Sequence, residues 1–137
     1  MKKRLTSIYL ICMALCSCST GPDITSHLDA YPEIFPDYTD VTVPVNIAPL
    51  NFEVTDERVD GKVVLVVDLG DETRHIRARK GLLSFGKRMW NSLMEEASDD
   101  SLKLTVCFRG EDGWTAFKPF NIIVKSDEAD PYIAYRH

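Results

Sequence analysis

Residues 62–69 read Lys62-Val63-Val64-Leu65-Val66-Val67-Asp68-Leu69, the most β-branched run in the chain. In an extended strand Val63, Leu65, Val67 and Leu69 share one face and Val64 and Val66 the other, so both faces are apolar. Such a strand has to be covered on both sides, which places this run in the middle of a small β-rich domain. The chain has 137 residues, enough for one domain with a core that needs no staples.

The flanking patterns extend the same reading. Phe52, Glu53, Val54 and Thr55 alternate apolar and polar, and Asp60-Gly61 is a hairpin signal, because both residues tolerate φ > 0. Residues 52–58 are therefore expected to pair antiparallel with residues 62–69. Residues 70–73 form the next turn. Ile76 and Ala78 then oppose His75, Arg77 and Arg79, which suits a strand with a charged outer face, or a basic stripe for an anionic ligand. Residues 41–47 alternate weakly around Pro44 and suit an edge strand. Residues 84–97 form the one helix. Ser84 is its candidate N-cap, and Phe85, Met89, Trp90, Leu93, Met94 and Ala97 form a single apolar stripe facing the core. Leu102, Leu104, Val106 and Phe108 alternate with Lys103, Thr105, Cys107 and Arg109, the cleanest period-two pattern present. A turn at 111–113 leads to residues 114–117 and 120–124, interrupted by Pro119. The fold class is α+β, mainly β: an antiparallel sheet or β-sandwich with one amphipathic helix packed on it.

The N-terminus belongs to a different category. Lys2, Lys3 and Arg4 precede a short apolar stretch, as in a secretory signal too short to span a bilayer. Leu15-Cys16-Ser17-Cys18 resembles the bacterial lipobox, with Leu at −3, a small residue at −1 and Cys at +1. It implies cleavage before Cys18, which would carry the lipid; Cys16 fits worse, because Leu15 would occupy −1. Removing Lys2, Lys3 and Arg4 from 16 basic residues leaves 13 against 21 acidic ones, a net charge of −8. That balance argues against nucleic acid as a partner and against a polybasic membrane patch. Cys12 and Cys16 leave with the signal and Cys18 is lipidated, so Cys107 is left without an intramolecular disulfide partner and reads as a structural thiol. Residues 1–17 are thus the signal, 18–40 the lipidated cysteine and a tether, 41–126 the globular domain, and 127–137 a tail.

No site of chemistry stands out. His27, His75 and His137 lack metal-ligand spacing, and neither a phosphate loop nor a nucleophile elbow is present, so neither cofactor nor metal nor catalytic residue is assigned. Asp68, near the end of its strand, is the most interesting single carboxylate. Tyr31, Tyr38, Trp114 and Tyr132 are the weak candidates for a ligand platform, of the kind a glycan uses.

One longer pattern goes beyond these local signals. Residues 38–52, Tyr38-Thr39-Asp40-Val41-Thr42-Val43-Pro44-Val45-Asn46-Ile47-Ala48-Pro49-Leu50-Asn51-Phe52, resemble the opening of TolB-like envelope lipoproteins with PD40 (WD40-like) propeller repeats. Asp112-Gly113-Trp114, Pro119-Phe120 and Asp130-Pro131-Tyr132-Ile133-Ala134-Tyr135-Arg136 look like later landmarks of the same N-terminal region. The resemblance implies a longer relative that continues into a C-x-x-C-H segment and a β-propeller, neither of which stands in this sequence. The expectation is an N-terminal piece of that architecture, a truncated gene or a stand-alone domain, with the tail at 127–137 as the start of a link to a missing domain. It implies no catalytic residue. The expectation is a lipid-anchored, non-enzymatic interaction or scaffold module of the bacterial cell envelope, on the outer rather than the inner membrane. Its partner is a protein or a following domain; the alternative is a glycan-binding module.

Overall fold

The computed structural model describes residues 21–130. The signal segment, Cys18 and Tyr132 lie outside them. The strands and the helix run in the order β1 (Ile24–His27), β2 (Ile34–Phe35), β3 (Thr42–Pro44), β4 (Phe52–Val54), β5 (Val63–Leu69), β6 (Glu72–Arg77), β7 (Leu82–Leu83), α1 (Lys87–Glu96), β8 (Ser101–Gly110), β9 (Gly113–Ala116) and β10 (Phe120–Lys125). The fold is mainly β with one helix, as the patterns imply, and it is built from two sheets.

The hub of the larger, seven-stranded sheet is β8. One edge of β8 pairs antiparallel with β5, which pairs in turn with β6. Its other edge is shared: Leu102 and Leu104 face β10, while Cys107 and Arg109 face β9. β9 and β10 are thus one line of strand interrupted at Pro119, where a missing amide hydrogen breaks the ladder. Two parallel partners close that side, β1 on β9 and β3 on β10. The sheet is therefore mixed, and the doubly apolar β5 is internal without being the centre. The smaller sheet has the order β2-β4-β7.

Two expectations about connectivity are corrected. β4 does not pair with β5. Both edges of β4 are filled by β2 and β7, and both edges of β5 by β6 and β8, so Asp60-Gly61 closes no hairpin. Residues 21–40, expected as a tether whose second half lies along the domain, supply β1 to one sheet and β2 to the other, so the first half is integrated as well. The globular unit thus begins well before residue 41. The carboxylate of Asp56, buried after β4, holds this segment down. It accepts from Glu33 N at 3.1 Å and from Arg58 Nη2 at 2.6 Å and Nε at 2.8 Å. The Arg58 guanidinium also lies 5.1 Å from the Phe117 ring centroid.

One core fills the space between the inner faces. Val63, Leu65 and Val67 of β5 join Leu102, Leu104 and Val106 of β8, Phe120, Ile122 and Val124 of β10, and Phe52 and Leu83 of the small sheet. Phe52 meets Phe120 edge-on at 6.4 Å. The helix adds Trp90, Leu93 and Met94, with Phe85 and Ala97 at its ends and Met89 half-buried. Trp90 is fully buried, and its Nε1–H donates to the Ile47 carbonyl at 2.9 Å. The helix begins later than its pattern suggests. Its N-cap is Gly86, without a side-chain cap bond, rather than Ser84. Gly86 is extended, with ψ 137°, so the helix starts after it, and Asn51 Oδ1 accepts from Phe85 N at 2.8 Å just ahead of the first turn. With no acidic residue in the first turn and no basic one in the last, packing rather than the dipole carries this helix.

Candidate functional site

The outer face of the large sheet carries the side chains that alternate with the core. Register sets Arg77, Val64, Cys107 and Ala116 side by side across β6, β5, β8 and β9. Trp114 pairs with Arg109 of β8 and Ile24 of β1. Where β5 and β9 begin and β6 ends, this face opens into a cleft of about 630 Å³. Val63, Val64 and Ala78 line it, with Lys62, His75, Arg77, Lys80 and Trp114 around them, and Gly21 and Pro22 reaching in from the N-terminal side.

Two backbone features shape the cleft. Arg79 and Leu82 exchange both backbone hydrogen bonds across a two-residue turn, in which Lys80 has φ 52° and Gly81 φ 82°. Both central residues are left-handed, the condition for a tight hairpin that matches strand twist. This turn carries the chain from β6 to β7, and so from one sheet to the other. Gly21, in turn, sits against the imidazole of His75, where an added Cβ would overlap Nε2. The backbone approaches that ring as closely as glycine permits.

The electrostatics of the cleft are one-sided. Among the described residues its lining holds Lys62, Arg77, Lys80 and His75 and no carboxylate, in a chain with an acidic excess. Asp68 and Asp71, which lie between Lys62 and His75 in sequence, stand at the other end of the β5–β6 pair. Asp68 is engaged there: Thr73 Oγ1 donates to it at 2.7 Å, and Lys103 Nζ lies at 3.9 Å. Glu72 is paired with Arg74, which also reaches Glu96 of the helix at 2.9 Å. Asp60, Glu111 and Asp112 flank the cleft in sequence and remain outside its lining.

The aromatic candidates do not converge. Trp114 is half-buried on the cleft, with the Arg109 guanidinium 6.0 Å from its ring centroid. Tyr31 is exposed beyond the far end of β9, with Lys118 Nζ 5.1 Å from its ring centroid and its hydroxyl donating to Asp40 at 3.4 Å. Tyr38 packs against the core. Cys107 is fully buried, its Sγ 3.9 Å from the Thr105 carbonyl. Burial, and then the charge of Asp68, push its thiol up to about 11, so it stays protonated and unreactive at neutral pH.

Of the cleft residues, His75 and Arg77 stand out in the linear pattern as a basic stripe and Trp114 as an aromatic candidate; Arg79, of the same stripe, lies outside the lining. Lys80 joins them through the local turn at 79–82, whereas Lys62 and Trp114 meet them through strand register and Gly21 through its approach to His75, contacts that no local signal encodes. Among the described residues, no group of three His, Cys, Asp or Glu side chains could hold a metal ion, and no helix is long and apolar enough to cross a membrane. No family model, curated protein or solved structure matches the chain.

Proposed function

We propose that the chain is a lipid-anchored binding module of the bacterial envelope, with the architecture of the N-terminal region of TolB-like propeller lipoproteins, and that it works by binding rather than catalysis. The observation that carries this reading is the spacing between Cys18 and the fold. The Leu15-Cys16-Ser17-Cys18 pattern places the lipid three residues before Gly21, which already rests on His75. Three residues reach only about 10 Å. An anchor on Cys18 thus holds the domain against the bilayer surface, with the cleft beside it, rather than on a free tether. Labelling cells with a fatty-acid analogue tests the anchor. The protein takes up label, and Cys18→Ala abolishes it; label that persists in the variant sinks the assignment.

A glycan-binding role is the second reading, and Trp114 favours it: a half-buried ring beside the polar side chains of the cleft. Tyr31 and Tyr38 do not contribute to that surface. Trp114→Ala is expected to abolish retention on a glycan array if this reading holds, and unchanged retention removes it.

A further inference from the structure

We propose that the cleft at the start of β5 is a binding site for an organic anion: a phosphate or carboxylate group on a small apolar body. This rests on the reading of the chain as a binding module and names the chemistry of its ligand.

Three observations converge on that class. The first is charge. Lys62, Arg77 and Lys80 surround one cleft and make no ion pair with any described residue, whereas Arg58, Arg74, Lys103 and Lys118 each face a carboxylate. The carboxylate of Glu53 stands by Gly81, outside the lining and without an ion pair to these cations. Cations left unpaired around a concave site favour an anion there, and a planar guanidinium suits a carboxylate or phosphate in particular. The second is the lining. Val63, Val64, Ala78 and Pro22 line the same cleft beside the cations, and its volume of about 630 Å³ is that of a small-molecule site. The third is Lys80. At φ 52° it occupies a turn position where asparagine or glycine is preferred. A lysine there lowers the stability of the turn, and it adds a cationic residue to the lining of the cleft.

The same anionic group has two sources. One is a soluble metabolite. The other is a lipid headgroup, which the anchor at Cys18 would hold within reach.

The test uses the full chain in phosphatidylcholine nanodiscs, with hexyl phosphate as the soluble probe and hexanol as its neutral counterpart. Calorimetric titration is expected to show saturable binding of hexyl phosphate and none of hexanol, with amide protection at residues 61–64 and 77–81. Arg77→Gln and Lys80→Asn each weaken binding by roughly ten-fold, as expected for loss of one charge-assisted contact. Lys80→Asn does so while raising the melting temperature, because asparagine relieves the turn; lost binding then cannot be ascribed to lost folding. Arg79→Gln, outside the cleft, leaves affinity unchanged. Nanodiscs containing phosphatidylglycerol separate the sources. Protection of the same residues without added probe identifies the headgroup, and protection by hexyl phosphate alone identifies a soluble anion. Equal binding of hexanol, or hexyl phosphate affinity untouched by both Arg77→Gln and Lys80→Asn, overturns the site. Cys18 labelling is read separately, so failure of the anchor and failure of the cleft are distinguishable.

Discussion

The side-chain amide of Asn46 pairs with both backbone groups of Ala129: its Oδ1 accepts from Ala129 N at 2.9 Å, and its Nδ2 donates to Ala129 O at 3.1 Å. A side chain here imitates a strand partner. It prolongs the line in which β3 runs parallel to β10 and Val45 N bonds the Lys125 carbonyl at 2.8 Å. The chain is thereby held beyond β10 into the residues first expected as a tail.

Asn46→Ala should release that segment without disturbing the sheet. Two exposed hydrogen bonds are lost, at a cost of about 1 kcal/mol. Amide exchange at Ala129 should accelerate several-fold while Val124, inside the β3–β10 pairing, keeps its protection. Unchanged exchange at Ala129 would mean that the pairing is not maintained in solution.

Trp90 joins the helix to the irregular segment after β3. Trp90→Ala removes a fully buried ring and leaves the Ile47 carbonyl without its donor, a loss of roughly 3–5 kcal/mol. Trp90→Phe keeps much of the volume and loses the hydrogen bond, so its cost should be intermediate. Asn91→Ala, on the exposed face, should change the denaturant midpoint little. A Trp90→Ala midpoint equal to that of Asn91→Ala would contradict the packing.

Asp56 should govern the acid limb of stability. Hydrogen bonding from Arg58 foremost, with backbone donors from Glu33 and Arg58, holds its carboxyl down from 3.8 to about 2 despite burial. A folded-state value below the unfolded one means that the ionised form stabilises the fold. The contribution is fully present above about pH 4 and is lost as pH falls toward 2, on the order of 2 kcal/mol in total. Asp56→Asn should be less stable at pH 7 and should flatten the stability profile between pH 4 and 2. An acid transition with unaltered slope would remove Asp56 from that role.

Much of this architecture was legible because some signals are local. The alternation through Leu102, Leu104 and Val106 and the stripe through Trp90 depend only on neighbours in sequence, and both stand as expected. Pairing is not local. Asp60-Gly61 marked a reversal, yet which strands meet was decided by edges already occupied, those of β4 by β2 and β7. β1 escaped notice because its four residues are mostly exposed and find their partner, β9, at the other end of the chain. The cleft depends on the same long-range register. Arg77 advertised a charge, but nothing near it in sequence announced that Lys62 and Trp114 would stand beside it.

The contact between Gly21 and His75 yields the last prediction, because it fixes where the N-terminal segment crosses the sheet. Gly21 lies outside the left-handed region, so alanine is acceptable to its backbone and the obstacle is the imidazole alone. Gly21→Ala should therefore lift residues 21–23 from His75 and loosen the β1–β9 pairing that begins at Ile24 and Trp114. His75→Ala should remove the obstacle at little cost of its own, since the residue is exposed. The double variant should recover the protection lost in Gly21→Ala, a coupling of about 1 kcal/mol read from amide exchange in β1. Additive effects, with Gly21→Ala equally disruptive whether or not His75 is present, would show that the segment does not rest on that ring and that an anchor at Cys18 leaves the domain free to move.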